Sequence, residues 1–211
     1  MIENIENIIQ LVLTCACTVV SFRRIFFTPH RRAWLMIGLS SFAYFLGDLY
    51  WQLYLVFYAH TPPYSHIPDI SWLASYMFLI LLISEIQHED TAKHRSRILW
   101  LAFVFTAGMC VFYSILSGDY ISNVLYALIM GVLIWKAADG LLYLRRYRIS
   151  APGKRLLYYS VLILCASEYI SWTASCFWMG DTLFNPYFLA NLSVSVSFLL
   201  LLSSLEKAVK E

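Results

Sequence analysis

Seven apolar runs constrain this chain more than any other feature. They lie at about residues 5–22, 34–59, 70–87, 98–117, 121–144, 156–178 and 187–205. As a helix rising about 1.5 Å per residue, each is long enough to cross a hydrocarbon core of about 30 Å. Helices are the expected solution because backbone N–H and C=O groups find no water to bond in lipid. A barrel would need apolar and polar residues in alternation, and runs such as Phe78 to Ile83 do not alternate. Composition agrees. Hydrophobic residues make up 60% and charged residues 13%, more apolar surface than a soluble chain of this length can bury. Seven spans leave no room for a separate aqueous domain, so residues 1–211 are read as one all-α transmembrane domain. All six prolines (Pro29, Pro62, Pro63, Pro68, Pro152, Pro186) are placed in the gaps, where a missing N–H costs least.

The basic residues predict orientation. Arg23, Arg24, Arg31 and Arg32 fall in the first loop; Lys93, Arg95 and Arg97 in the third; Arg145, Arg146, Arg148, Lys154 and Arg155 in the fifth; Lys207 and Lys210 in the tail. These are fourteen of the fifteen, and the other, Lys136, lies inside a run. The positive-inside rule then puts the N-terminus outside and the C-terminus in the cytoplasm, as for a multi-pass protein of a bacterial plasma membrane. Acidic Glu3 and Glu6 precede the first run and Arg23 and Arg24 follow it, so it reads as a retained helix rather than a cleaved signal. Cys15, Cys17, Cys110, Cys165 and Cys176 all lie within runs. Cys15 and Cys17 point to nearly opposite helix faces and cannot share a metal, so the cysteines read as small packing residues.

A shift of 120 residues superposes runs 1–3 on runs 5–7 without a gap. It places Asp48 on Glu168, Ser40 on Ser160, Phe57 on Phe177, Ser75 on Ser195, Phe78 on Phe198 and Ser84 on Ser204. The acid-on-acid match is the informative one. It implies a 3+1+3 architecture: a first repeat at about 1–87, a linking helix at 98–117 and a second repeat at about 121–205. Parallel repeats of this kind are related by an axis along the membrane normal, with sites at their interface.

Charged groups at depth cost about 2.5–3.5 kcal/mol on insertion scales, so each needs a reason. Counted from the cytoplasmic ends of their helices, Asp48 lies roughly 21 Å up and Glu168 roughly 18 Å up. Two readings stay open: protonated acids bonded to a neighbouring Ser or Tyr, or an acidic pair facing an outward cavity suited to a cation, an amine or a proton. Trp51 and Trp172 lie three and four residues beyond these acids, on the same helix faces. Tyr50 and Tyr169 adjoin them, and an acid flanked by aromatic rings suits cation recognition. Helix packing, with the indole N–H bonded to a backbone carbonyl, is the alternative. Lys136 and Asp139, three apart on one face, read either as an ion pair that eases insertion or as a proton- or voltage-linked switch.

No G-x-S-x-G, H-E-x-x-H or P-loop pattern occurs, and the five histidines all lie in loops. No catalytic residue, metal site, cofactor or nucleic-acid partner is therefore expected. The stretch from Phe188 to Leu205 has no lysine, which excludes a retinal Schiff base at the position usual in opsins.

The run Gly47-Asp48-Leu49-Tyr50-Trp51, followed by Pro68-Asp69-Ile70-Ser71-Trp72-Leu73-Ala74-Ser75-Tyr76, resembles the G-D-x-x-W … P-x-x-x-D-x-x-Y segment of the seven-helix sensory regions of some bacterial diguanylate cyclases and histidine kinases. The resemblance covers helices 2 and 3. In that family a cytoplasmic output domain follows the helices. Here the chain stops at Glu211, so the resemblance implies a free-standing sensor acting through a separate partner. The 3+1+3 order also resembles small sugar and vitamin transporters and opsin-like proteins, by architecture alone. The expectation is a receptor-like protein that binds a small ligand between the triplets at Asp48, Glu168, Trp51, Trp172, Tyr50 and Tyr169. Its partners would be the lipid bilayer, that ligand and a cytoplasmic or membrane protein. A facilitative or proton-linked transporter using the same cavity is the alternative, and a lipid-modifying enzyme comes third.

Overall fold

A computed structural model describes residues 2–58, 66–87, 99–178 and 186–211. Among them every regular element is an α-helix: α1 (Ile2–Ile25), α2 (Arg31–Tyr58), α3 (His66–Ile86), α4 (Trp100–Ser117), α5 (Tyr120–Arg146), α6 (Pro152–Phe177) and α7 (Pro186–Ala208). Each is built on one of the seven apolar runs.

The helix ends follow local chemistry. Pro152 and Pro186 open α6 and α7, and Pro68 sits in the first turn of α3. This corrects their placement in gaps: first-turn N–H groups have no intrahelical acceptor, so proline loses nothing there. Pro62 and Pro63 lie outside the described residues. Asp119 caps α5, its carboxylate accepting the Ser122 N–H at 3.3 Å. Past α5 the Ile149 N–H donates to the Leu144 carbonyl at 3.0 Å and the Arg148 N–H to Arg145 at 3.3 Å. This is a Schellman stop, and Arg148, at φ 53°, holds the left-handed position usual for glycine. At α6 the Gly153 and Lys154 N–H groups donate to the Glu211 carboxylate at 2.7 and 3.2 Å, placing an acid on the positive end of the helix dipole.

Six helices close a ring in the order α1, α2, α3, α5, α6, α7, with α7 returning to α1. Across the middle, α2 touches α7 and α3 touches α6. Helix α4 lies outside the ring against α5 and reaches α6 through Tyr113, whose hydroxyl donates to the Tyr169 carbonyl at 3.1 Å.

The exterior is apolar all round. Val12, Val19, Leu53, Met77, Val104, Ile115, Leu128, Ile163, Ile170 and Leu189 are exposed, whereas Thr14, Ser21, Ser40, Ser75, Thr106, Ser195 and Ser204 are buried. A water-soluble bundle would reverse that sorting. Among the described residues, five helices are long and apolar enough to cross a membrane: α1, α3, α5, α6 and α7. The chain thus has the features of a multi-pass membrane protein. Helices α2 and α4 are not among these five. Helix α2 is long enough at 28 residues but carries Arg31, Arg32, Asp48 and Gln52. Helix α4, at 18 residues, is roughly 27 Å long, close to the thickness of a hydrocarbon core.

The two ends of the ring differ. At one end lie Arg23, Arg24, Arg31, Arg32, Arg145, Arg146 and Lys207, and the adjoining interior is closed by Trp34, Ile37, Leu82, Leu133, Leu157 and Leu201, all fully buried. For helices in lipid such a core gains little from the hydrophobic effect; close packing and hydrogen bonds between helices hold it. Toward the opposite end the interior turns to Tyr, Trp, Gln, Asp and Glu.

Candidate functional site

In that second half of the ring lies a cavity of about 280 Å³, walled by all seven helices. It runs from the level of Glu168 to the helix ends at Cys176, Asp119 and Tyr187, a depth of roughly 12 Å along α6. Asp48, Trp51, Glu168 and Trp172, four of the side chains expected at a site, all line it.

The two acids are joined by a short hydrogen-bonded chain. The Tyr44 hydroxyl donates to Glu168 Oε1 at 2.8 Å. Gln10 Nε2 on α1 donates both to the Tyr44 hydroxyl at 3.2 Å and to Asp48 Oδ1 at 3.3 Å. Trp72 Nε1 on α3 donates to the same Oδ1 at 3.1 Å. Four helices thus meet on two carboxylates, which fixes their relative positions more firmly than packing of apolar side chains would. Asp48 Oδ2 is buried without a hydrogen-bond partner, and so is the hydroxyl of Tyr126.

Gly47 makes the Trp72 contact possible. A Cβ on residue 47 would stand 2.6 Å from Trp72 Nε1 and 2.8 Å from its Cδ1. Only a residue without a side chain lets the indole lie flat enough against α2 to reach Asp48.

Aromatic rings form two groups on facing walls. Trp72 lies 6.3 Å from both Trp51 and Tyr44. Opposite, Trp172 stacks on Tyr126 at 4.2 Å, with 16° between planes. Tyr76 joins the groups edge-on, 6.4 Å from Tyr44 and 6.0 Å from Tyr126. Ser171 of α6 is hydrogen-bonded to Asn191 of α7 at the cavity wall.

Two expected residues do not line the cavity. Tyr50 is two positions past Asp48, so it projects to another face of α2, where its ring meets Tyr54 at 6.2 Å. Tyr169, one position past Glu168, turns toward α4, its ring 5.1 Å from Phe105 and parallel to Tyr113 at 6.5 Å. Lys136 and Asp139 are half-buried near the basic end, far from the cavity. They form no ion pair with each other; the ion pairs among the described residues are Arg24–Glu206, at 3.1 Å, and Lys210–Glu206, at 3.7 Å. Sharing a helix face permits such a pair without enforcing one.

Sequence reasoning missed Gln10, Tyr44 and Tyr126 as site residues, and it quoted Trp72 and Tyr76 only as part of a resemblance. Two of them left a signal. Tyr44 lies four residues before Asp48, on the same face of α2. Gln10 is a large amide within an apolar run, where an unpaired polar group is costly and a partner should be sought. Among the described residues no group of three His, Cys, Asp or Glu is placed to hold a metal ion. Comparison with protein-family models, with curated proteins and with solved structures found no match for this chain.

Proposed function

We propose that this chain is a seven-helix receptor-like protein of a bacterial plasma membrane. It receives a small ligand in the acid-and-aromatic cavity and signals to a partner on the cytoplasmic side. In this reading α2 and α4 also cross the bilayer, α2 because it sits in the ring between α1 and α3. The basic end is cytoplasmic by the positive-inside rule, so the cavity faces outward. A 3+1+3 repeat is supported by the ring order: α3 against α5 answers α7 against α1, and α2 across to α7 answers α6 across to α3. The polar contacts do not repeat. Ser40 bonds Ser75 across helices at 2.9 Å, whereas Ser160 and Ser195 each donate within their own helix.

One observation carries the reading: Asp48 and Tyr126, each with a buried polar atom that has no partner, both line a cavity in one half of a bundle whose other half is closed. A buried polar group without a partner calls for an explanation, and a ligand that completes it is one. A ligand bridging α2 and α3 to α5 and α6 would shift those pairs, and both continue to the basic end, where a partner would read the shift.

Purified protein in lipid nanodiscs tests this. A panel of small molecules should include some that raise the unfolding temperature, and a bulky Ser175→Trp change in the cavity wall should abolish the effect. Uptake of the same molecules into proteoliposomes should be absent. Flux that saturates and needs the cavity would replace the receptor by the transporter.

A further inference from the structure

Resting on the reading of this cavity as a ligand site, we infer that its ligand is a protonated primary or secondary amine with a flat apolar body and a second hydrogen-bonding group. The ammonium donates to Asp48 Oδ2, and the second group meets the Tyr126 hydroxyl.

Charge comes first. Among the described residues the lining includes Asp48, Asp69, Asp119 and Glu168 and no lysine, arginine or histidine. Such a cavity, walled by low-dielectric side chains, attracts cations and repels anions. Asp48 then narrows the choice. It is 6% exposed; its Oδ1 accepts two N–H donors, from Trp72 and Gln10, and its Oδ2 has none. The bare oxygen calls for a further donor, and a charged N–H is the strongest one available. A metal ion fits poorly. Hard cations such as Ca²⁺ take about 6–8 oxygen ligands, and here two N–H groups crowd the carboxylate and would repel a metal. A quaternary ammonium has no N–H to give and would leave Oδ2 bare.

The surroundings favour an organic cation. Trp51 and Trp72 stand beside the acid, and indole faces attract ammonium groups. On the facing wall Tyr126, 4% exposed, has a hydroxyl without a hydrogen-bond partner, and its ring is clamped against Trp172. Between the two polar points the walls are aromatic, which suits a flat apolar body. The volume of about 280 Å³ lies just below the usual 300–1,000 Å³ of ligand pockets, so the molecule is small.

Five probes separate these features: tyramine; 4-propylphenol, with a methyl in place of the ammonium; N,N,N-trimethyltyramine; 2-phenylethylamine, without the hydroxyl; and 4-hydroxyphenylacetate. Binding to the full chain in nanodiscs is read by tryptophan fluorescence and by thermal shift. Tyramine should bind at least about tenfold more tightly than the neutral, quaternary and anionic probes, and a fewfold more tightly than 2-phenylethylamine. Asp48→Asn should bring tyramine down to the level of 4-propylphenol without weakening 4-propylphenol itself. Tyr126→Phe should erase the advantage over 2-phenylethylamine. The probe series on the unaltered protein decides the amine question even where a variant fails to fold. If 4-propylphenol or the acid binds as tightly as tyramine, and Ser175→Trp blocks it, the amine is overturned while the ligand cavity stands. If none of the five binds, the amine is overturned, and failure of the wider panel as well removes the cavity reading.

Discussion

Gly47→Ala tests the construction of the site without removing any of its polar groups. The new Cβ would lie 2.6 Å from Trp72 Nε1, 2.8 Å from Cδ1 and 3.0 Å from Cε2. These distances are too short for non-bonded atoms, so the indole must move and its 3.1 Å bond to Asp48 stretches or breaks. Losing a hydrogen bond to a buried acid costs about 1.5–3 kcal/mol, and residual crowding adds about 1–3 kcal/mol. Replacing a helical glycine by alanine returns about 1 kcal/mol. The expected net destabilisation is therefore about 1.5–5 kcal/mol by these same terms. Reversible unfolding in mixed micelles measures it. Gly108→Ala is the control: nothing lies within 4 Å of its new Cβ, so that variant should be neutral or slightly more stable. Trp72→Phe supplies the second control, because it removes the Nε1 that the new methyl meets. In that background Gly47→Ala should lose most of its cost, giving a coupling of at least about 1 kcal/mol in a double-mutant cycle. An undiminished cost in the Trp72→Phe background would refute the argument that Gly47 exists to admit the indole. So would a Gly47→Ala protein as stable as the parent.

Tyr44→Phe cuts the chain between Gln10 and Glu168 and should destabilise by about 1–3 kcal/mol, measured in the same unfolding assay. Arg148→Gly relieves a left-handed residue, φ 53°, at the end of α5 and should stabilise by up to about 1 kcal/mol, with no change in ligand binding. Glu211→Gln weakens the cap on α6; a loss of about 0.5–2 kcal/mol that shrinks with added salt is expected. Native Cys176 is exposed at the cavity rim and should react with an impermeant thiol reagent from outside intact cells. Single cysteines placed at 60–65 and 179–185 should do the same in a Cys176→Ser background, and those at 88–97 should not. The reverse pattern would turn the chain over in the membrane.

The sequence by itself determined where the helices lie, because a span of about 20 apolar residues is a local, contiguous signal that needs no knowledge of neighbours. It also singled out Asp48 and Glu168, since a carboxylate at depth is costly whatever surrounds it. Trp51 and Trp172 came from helical spacing alone, and both line the cavity. The tertiary structure decided which other side chains face inward. In a water-soluble helix the polar face marks the outside, but a helix set between lipid and an apolar core is apolar on both sides, and its pattern does not say which side is which. Helical spacing separates Tyr44, four residues before Asp48 and on its face, from Tyr50, two residues past it and off that face, but that the Tyr44 hydroxyl bonds Glu168 is decided by the packing of separate helices. The same limit hid Trp72, twenty-four residues from the acid it bonds, and Gln10, thirty-eight residues away. Each is brought to Asp48 by the packing of α1 and α3 on α2, and no local rule of spacing extends across separate helices.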